Sequence, residues 1–141
     1  MSTEAIKLHF DVAGDDFTRA GEASGSVKRT MKKLGIPADA IRKVAIAMYE
    51  GEINMVIHAN GGVADVEITP EAVLMTLTDQ GPGIPDIEQA MQEGFSTAPE
   101  SVRNLGFGAG MGLPNMRKYT DDMTVESEVG KGTTVRMRVN L

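Results

Sequence analysis

Three polar side chains of different chemistry fall four residues apart in one short segment: Glu50, Asn54 and His58, within Tyr49-Glu50-Gly51-Glu52-Ile53-Asn54-Met55-Val56-Ile57-His58. A helix turns about 100° per residue, so positions i, i+4 and i+8 form one stripe. Ile46, Ile53 and Ile57 flank it, which makes the stripe polar within an apolar setting. Burying a lone carboxylate is costly, so Glu50 is expected to have a partner. An asparagine carbonyl is a hard oxygen ligand suited to Mg²⁺, which keeps most of its waters. A carboxylate one turn away can orient a metal-bound water or take the proton of an attacking hydroxyl. A solvated helix face would carry the same residues, so this segment alone does not decide.

Further along lies Asp79-Gln80-Gly81-Pro82-Gly83-Ile84. An ionised aspartate only accepts hydrogen bonds, which suits the exocyclic amine of adenine and repels the oxygen of guanine. The glycines let the backbone come close to a base. Then comes Gly106-Phe107-Gly108-Ala109-Gly110-Met111-Gly112-Leu113-Pro114. Alternating glycines free backbone N–H groups to cradle phosphates beside a helix start. Two commoner phosphate loops fail here. Walker A needs a glycine where Val125 precedes the chain's Gly130-Lys131 pair, and the dinucleotide fingerprint needs one where Met111 stands. Last is Gly130-Lys131-Gly132-Thr133-Thr134, where a threonine hydroxyl beside a strand can bond a water or the Asp79 carboxylate.

Regular elements must hold these pieces. Lys7–Val12 alternates as a strand. Asp15 or Asp16 is expected to cap a helix whose buried face is Phe17, Ala20, Ser24, Val27, Met31 and Leu34. Gly21 and Gly25 weaken that helix, and Gly35 and Pro37 stop it. A second helix runs from Asp39 to about His58. Asn60-Gly61-Gly62 reads as a turn, Val63–Thr69 and Val73–Asp79 as strands. Ile87–Gly94 reads as a short helix, about Phe95–Met111 as a mobile lid, and Pro114–Tyr119 as another helix. Met123–Glu128 and Thr133–Leu141 form a closing hairpin. That order predicts helices on one face of a mostly antiparallel sheet.

At 141 residues the chain is long enough for one domain and one core. A net charge of -6 and 4% aromatic residues argue against a nucleic-acid partner. The absence of cysteine excludes disulfides and thiolate metal sites and fits the cytoplasm. No apolar run is long enough to span a bilayer, and the charged start carries no secretory segment. Seven of the 16 glycines lie between Gly81 and Gly112, a concentration that reads as one loop system.

Taken in order, the four pieces resemble the GHKL ATP-binding superfamily, which includes gyrase, histidine kinases and MutL. Glu50…Asn54…His58 resembles its N box, Asp79-x-Gly81-x-Gly83 its first glycine box, Gly106–Gly112 its second, and Gly132-Thr133 its final threonine motif. Length and content are similar to the anti-sigma factor serine kinases of bacterial partner-switching pathways. The resemblance implies an α+β, two-layer α/β sandwich of the Bergerat type over residues 1–141, its helices on one face of a mixed, mostly antiparallel sheet, with a lid at about 86–113. It implies ATP and Mg²⁺ as ligands. Glu50 would be the catalytic base, Asn54 the metal ligand and Asp79 the adenine anchor. His58, Gly81, Gly83 and Ile84 would line the nucleotide site, and Gly108, Gly110, Met111 and Gly112 would meet the phosphates. Thr133 would support the base pocket, and Arg103 would contact the γ-phosphate. Implied partners are a STAS-domain anti-anti-sigma protein, a sigma factor and a second copy of the chain. Gly51 stands where many relatives have alanine and is expected to loosen the helix. Pro114-Asn115-Met116 looks more like the partner-switching kinases than the sigma-binding members.

The function this implies is ATP-dependent phosphorylation of a serine or threonine on a small STAS-domain antagonist. One alternative is a nucleotide-gated switch that grips a sigma factor or regulator without phosphoryl transfer. Another is a stand-alone histidine-kinase-like catalytic domain, although neither His9 nor His58 sits on a helix suited to a phosphoacceptor.

Overall fold

Period-two alternation builds the sheet. In a computed structural model, which describes residues 5–14, 21–59, 61–84, 87, 91 and 112–141, β1 (Ile6–Ala13), β2 (Gly61–Ile68), β3 (Ala72–Thr78), β4 (Asp122–Glu128) and β5 (Gly132–Asn140) lie in the order β1-β2-β3-β5-β4. Every pairing is antiparallel, so no parallel component of a mixed sheet occurs among the described residues. Ala64, Val66, Ile68, Val73, Met75, Leu77, Val135, Met137 and Val139 alternate onto the buried face. The opposite face carries Lys7, His9, Asp65, Glu67, Arg136 and Arg138, as an antiparallel sheet with one solvated side should.

Among the described residues three helices cover the buried face: α1 (Glu22–Lys33), α2 (Ala38–His58) and α3 (Gly112–Lys118). Helix α2 is central. It packs on the sheet and is flanked by α1 and α3, which is why it buries residues around much of its circumference, including Val44, Met48, Ile53 and Val56. Methionines fill the interior: Met31, Met48, Met75 and Met116 are fully buried, and Met55 and Met137 nearly so. Each such side chain contributes about 1.5–3 kcal/mol. No described helix is long and apolar enough to cross a membrane.

Two local expectations are corrected. Gly61-Gly62 is not a turn but the start of β2, paired with Ala13 and Val12; ladder hydrogen bonds override the turn preference of the pair. Leu34 is exposed rather than buried, because α1 ends at Lys33 and the chain reverses at Gly35, φ 73°. Ser24, Val27 and Met31 are buried as expected, whereas Asp15, Asp16, Phe17 and Ala20 lie outside the described residues.

Candidate functional site

Glu50 and Asn54 stand one turn apart on α2, both half-buried. Burial pushes the Glu50 carboxyl above its ordinary pKa, and a hydrogen bond from Asn115 partly offsets this. Asn115 Nδ2 donates to Glu50 Oε2 across 3.5 Å. The expected partner of Glu50 therefore comes from α3. His58 closes α2, and its side chain lies outside the described set.

Asp79 follows β3 directly. Its Oδ1 accepts the N–H of Gly81 at 3.0 Å and the N–H of Thr133 at 3.1 Å, while its own N–H donates to the Thr133 carbonyl at 2.9 Å. Both hydrogen bonds that the carboxylate takes from described residues go to Oδ1. Of the two partners the sequence allowed for the Thr133 hydroxyl, a water or the Asp79 carboxylate, Asp79 is not the one it bonds. The hydroxyl bonds Ser127 Oγ at 2.9 Å, because strand pairing of Ser127 with Thr133 sets the two side by side. Ser127 Oγ also accepts the Ile84 N–H at 2.7 Å and donates to the Gly132 carbonyl at 3.2 Å. The Asp79–Ile84 loop is thus tied to the β4–β5 hairpin by Thr133 and Ser127.

The same loop touches the end of α2. A Cβ built at Gly81 would lie 2.7 Å from Ala59 Cα, so only glycine allows this approach. Asp79, Gly81, Gln80, Thr78, Ile57 and Ala59 line part of a cleft of about 760 Å³. Glu50, Asn54 and Thr133 are not among its described lining residues. The structure brings Asp79, Gly81, Ile84 and Thr133 together, and sets Glu50 and Asn54 on the helix whose end meets that loop. Gly83 lies within the loop with φ 82°, and Gly112 opens α3. Arg103, Gly108, Gly110 and Met111, with most of the expected lid, lie outside the described residues; Ile87 and Met91 are joined by one backbone hydrogen bond of 3.0 Å.

Sequence reasoning passed over Glu52 and Ser127, and took Asn115 only as part of Pro114-Asn115-Met116 rather than as a partner of Glu50. Glu52 is 2% exposed and accepts backbone N–H groups from Gly21, Ala23 and Ser24. Its signal was legible: Val44, Met48, Glu52 and Val56 are spaced by four, an acid at a core-facing position. Nothing comparable marked Asn115 or Ser127, whose roles depend on tertiary neighbours. Among the described residues no group of three or more acidic or histidine side chains is placed to hold a metal.

The histidine kinase-like ATPase domain family matches residues 15–139. This chain belongs to that family. ATP binding follows from membership, and the expected Bergerat-type architecture agrees with the observed one. The chain is 38% identical over 122 residues to the anti-sigma F factor of Geobacillus kaustophilus (strain HTA426), covering 82% of this chain and 80% of that one. It is 33% identical over 133 residues to the anti-sigma F factor of Pasteuria penetrans, covering 86% and 85%. Among solved structures it is similar to the RsbU and RsbW domains of a Mycobacterium tuberculosis protein, with a TM-score of 0.64 at 15% identity over 95% of this chain and 32% of that one. The mycobacterial sensor histidine kinase MprB gives 0.55 at 18% identity over 96% and 97%. At these identities the likeness concerns the fold alone. Within Pro114-Asn115-Met116, Asn115 is turned to Glu50 and Met116 is 1% exposed.

Proposed function

We propose that this ATPase-family domain is a protein kinase of the anti-sigma type, transferring the γ-phosphoryl group of ATP to a serine or threonine of a STAS-domain antagonist. The observation that carries the reading is Glu50, a half-buried carboxylate one turn before Asn54, on a helix whose end abuts the Asp79 loop. In the step proposed, Glu50 accepts the proton of the attacking hydroxyl. A bond forms between that oxygen and the γ-phosphorus, and the bond to the β–γ bridging oxygen breaks, leaving ADP. Asp79 would take the exocyclic amine of adenine on Oδ2, its Oδ1 being engaged by Gly81 and Thr133. Gly81, Gly83 and Ile84 would shape the base pocket, with Thr133 and Ser127 fixing the loop. His58, Arg103, Gly108, Gly110, Met111 and Gly112 remain assigned to nucleotide and phosphate contacts by family resemblance.

The donor set fits Mg²⁺. An amide oxygen with, among the described residues, no cluster of three acids beside it suits an ion that takes its other ligands from water and phosphate, and Asn54 would supply that oxygen. When bound, the ion would neutralise phosphate charge during transfer.

The test is a phosphotransfer assay with a purified STAS-domain protein. Glu50→Gln should retain ATP binding by calorimetry and lose transfer; transfer at the wild-type rate would overturn the assignment. The name of the relatives, anti-sigma F factor, favours a second role for the same domain, holding a sigma factor in a nucleotide-dependent manner. Equal sigma-factor affinity with ATP, with ADP and without nucleotide would exclude it.

A further inference from the structure

Glu52 is a buried carboxylate that the proposed chemistry does not use. It stands between Glu50 and Asn54 in sequence, yet about 200° around the helix from Glu50. Its Oε2 accepts the N–H of Gly21 at 2.9 Å and of Ala23 at 3.1 Å, and its Oε1 accepts that of Ser24 at 3.1 Å. These are N–H groups at and before the first turn of α1, which a helix cannot satisfy internally. The residue preceding α1, Gly21, has φ 98° and offers no side-chain cap. The cap comes from another helix, 28 to 31 residues away in sequence.

The neighbouring positions are engaged just as specifically. Glu50 meets Asn115 on α3. Gly51 faces Leu77 on β3, so closely that a Cβ there would lie 2.7 Å from Leu77 Cδ2. Glu52 meets α1. Three consecutive residues, each turned about 100° from the last, therefore contact three different elements at one level of α2. Of the three, Glu52 makes the most side-chain hydrogen bonds.

We infer that Glu52 is a positioning residue: by binding the N-terminal turn of α1 it sets the rotation of α2 about its axis, and so the direction in which Glu50 and Asn54 point. The inference rests on the roles proposed above for those two residues. A carboxylate with three N–H donors tolerates little rotation of the helix that bears it, since charge-assisted hydrogen bonds are short and directional. Removing one of its acceptor oxygens frees that rotation, and misplacement of a reacting group by about 1 Å can cost 10²-fold in rate.

The experiment uses Glu52→Gln, which keeps the shape but turns an N–H₂ toward the α1 donors. Calorimetry with Mg²⁺ and ATP gives affinity and the fraction of sites that bind, and transfer is then expressed per binding site. The expected result is an ATP affinity weakened severalfold and a transfer rate per site lowered about tenfold, with amide exchange accelerated at Gly21, Ala23 and Ser24. A merely structural clamp would lower melting temperature and the fraction of binding sites, leaving both per-site quantities at wild-type values; that result overturns the inference. Should Glu52→Gln not fold, Ala23→Pro removes one of the three donors from the other side, at a first-turn position where proline is tolerated, and the same affinity and per-site transfer outcomes apply, with amide exchange read at Gly21 and Ser24. If the wild-type protein transfers no phosphoryl group, the kinase reading fails on its own, and ATP affinity still decides the role of Glu52.

Discussion

Asn115 reaches Glu50 from α3 with 3.5 Å between its Nδ2 and Oε2. That exceeds the usual range of about 2.7–3.2 Å for an N–H···O hydrogen bond, so Asn115 offsets only part of what burial costs this carboxylate. The direction of the Glu50 shift, upward with burial as the leading cause, says that desolvation wins. A carboxylate held in this way is more basic than a solvated glutamate, which would suit the proton acceptance proposed for it.

Stability should register the same cost. The folded pKa of Glu50 lies above its unfolded value, so above the folded value the ionised group destabilises the fold. Below the unfolded value both states are protonated and the cost vanishes. Glu50→Gln should therefore raise the melting temperature at pH 7 to 8, and the gain should shrink as pH falls through the Glu50 pKa toward about pH 4. Thermal scans across that range check it. A variant that abolishes transfer while stabilising the protein would place Glu50 among groups kept for function at the expense of stability.

The strands were legible because each alternates against one buried face, and α2 because an acid–amide–imidazole stripe interrupts apolar neighbours. What failed to show was whatever depends on elements meeting in space. Ser127 reads as one more polar residue of an edge strand until the Asp79–Ile84 loop arrives beside it. Asn115 reads as a helix-start residue until α3 lies against α2. Gly61 and Gly62 read as a turn because propensity is local, whereas their pairing with Val12 and Ala13 is not. Glu52 is the different case, since its spacing from Val44, Met48 and Val56 already marks it as buried, on the side of the helix away from the Glu50–Asn54 stripe.

Ser127 gives a prediction that separates it from Thr133. Its hydroxyl donates to the Gly132 carbonyl and accepts from Ile84 N–H and from Thr133 Oγ1, which fills its capacity of one donor and two acceptors. Ser127→Ala leaves these partners unmatched and should cost about 1–3 kcal/mol in urea unfolding, with weaker ATP binding because the loop loses its tie. Thr133→Ala removes a hydroxyl but keeps the N–H that holds Asp79. It should therefore cost less and leave ATP affinity within about twofold, a difference near 0.4 kcal/mol.

His9 predicts a pH effect remote from the site. The imidazole bonds Asp65, its register partner on β2, and lies 3.4 Å from Asp11, and its pKa is raised above 6.5, chiefly by the Asp65 hydrogen bond. A raised histidine pKa adds stability that is complete below the unfolded value and is lost as pH rises through the folded one. His9→Gln should thus lower the melting temperature at about pH 5 to 6 and have little effect at about pH 8.5. Because the site is exposed, added salt should shrink the low-pH difference. An equal difference at both pH values would remove the ion pairs as its cause.

Alanine in place of glycine should act in opposite directions on two helices. Mid-helix glycine costs about 1 kcal/mol relative to alanine, so space decides the net sign. At Gly25 on α1, a new Cβ would find, among the described residues, only the flexible tip of Arg29, 3.4 Å away. Gly25→Ala should stabilise the protein by nearly the full propensity gain. At Gly51, the Cβ would lie 2.7 Å from Leu77 Cδ2 and 3.4 Å from Met116 Sδ, both in the packed core. Overfilling a core costs about 1–3 kcal/mol, which equals or exceeds the propensity gain. Gly51→Ala should therefore be destabilising by up to about 2 kcal/mol, and by pushing α2 from β3 it should slow transfer as well. Urea midpoints that rise for both variants would show that Leu77 yields freely, and that Gly51 serves helix flexibility rather than the close seating of α2 on the sheet.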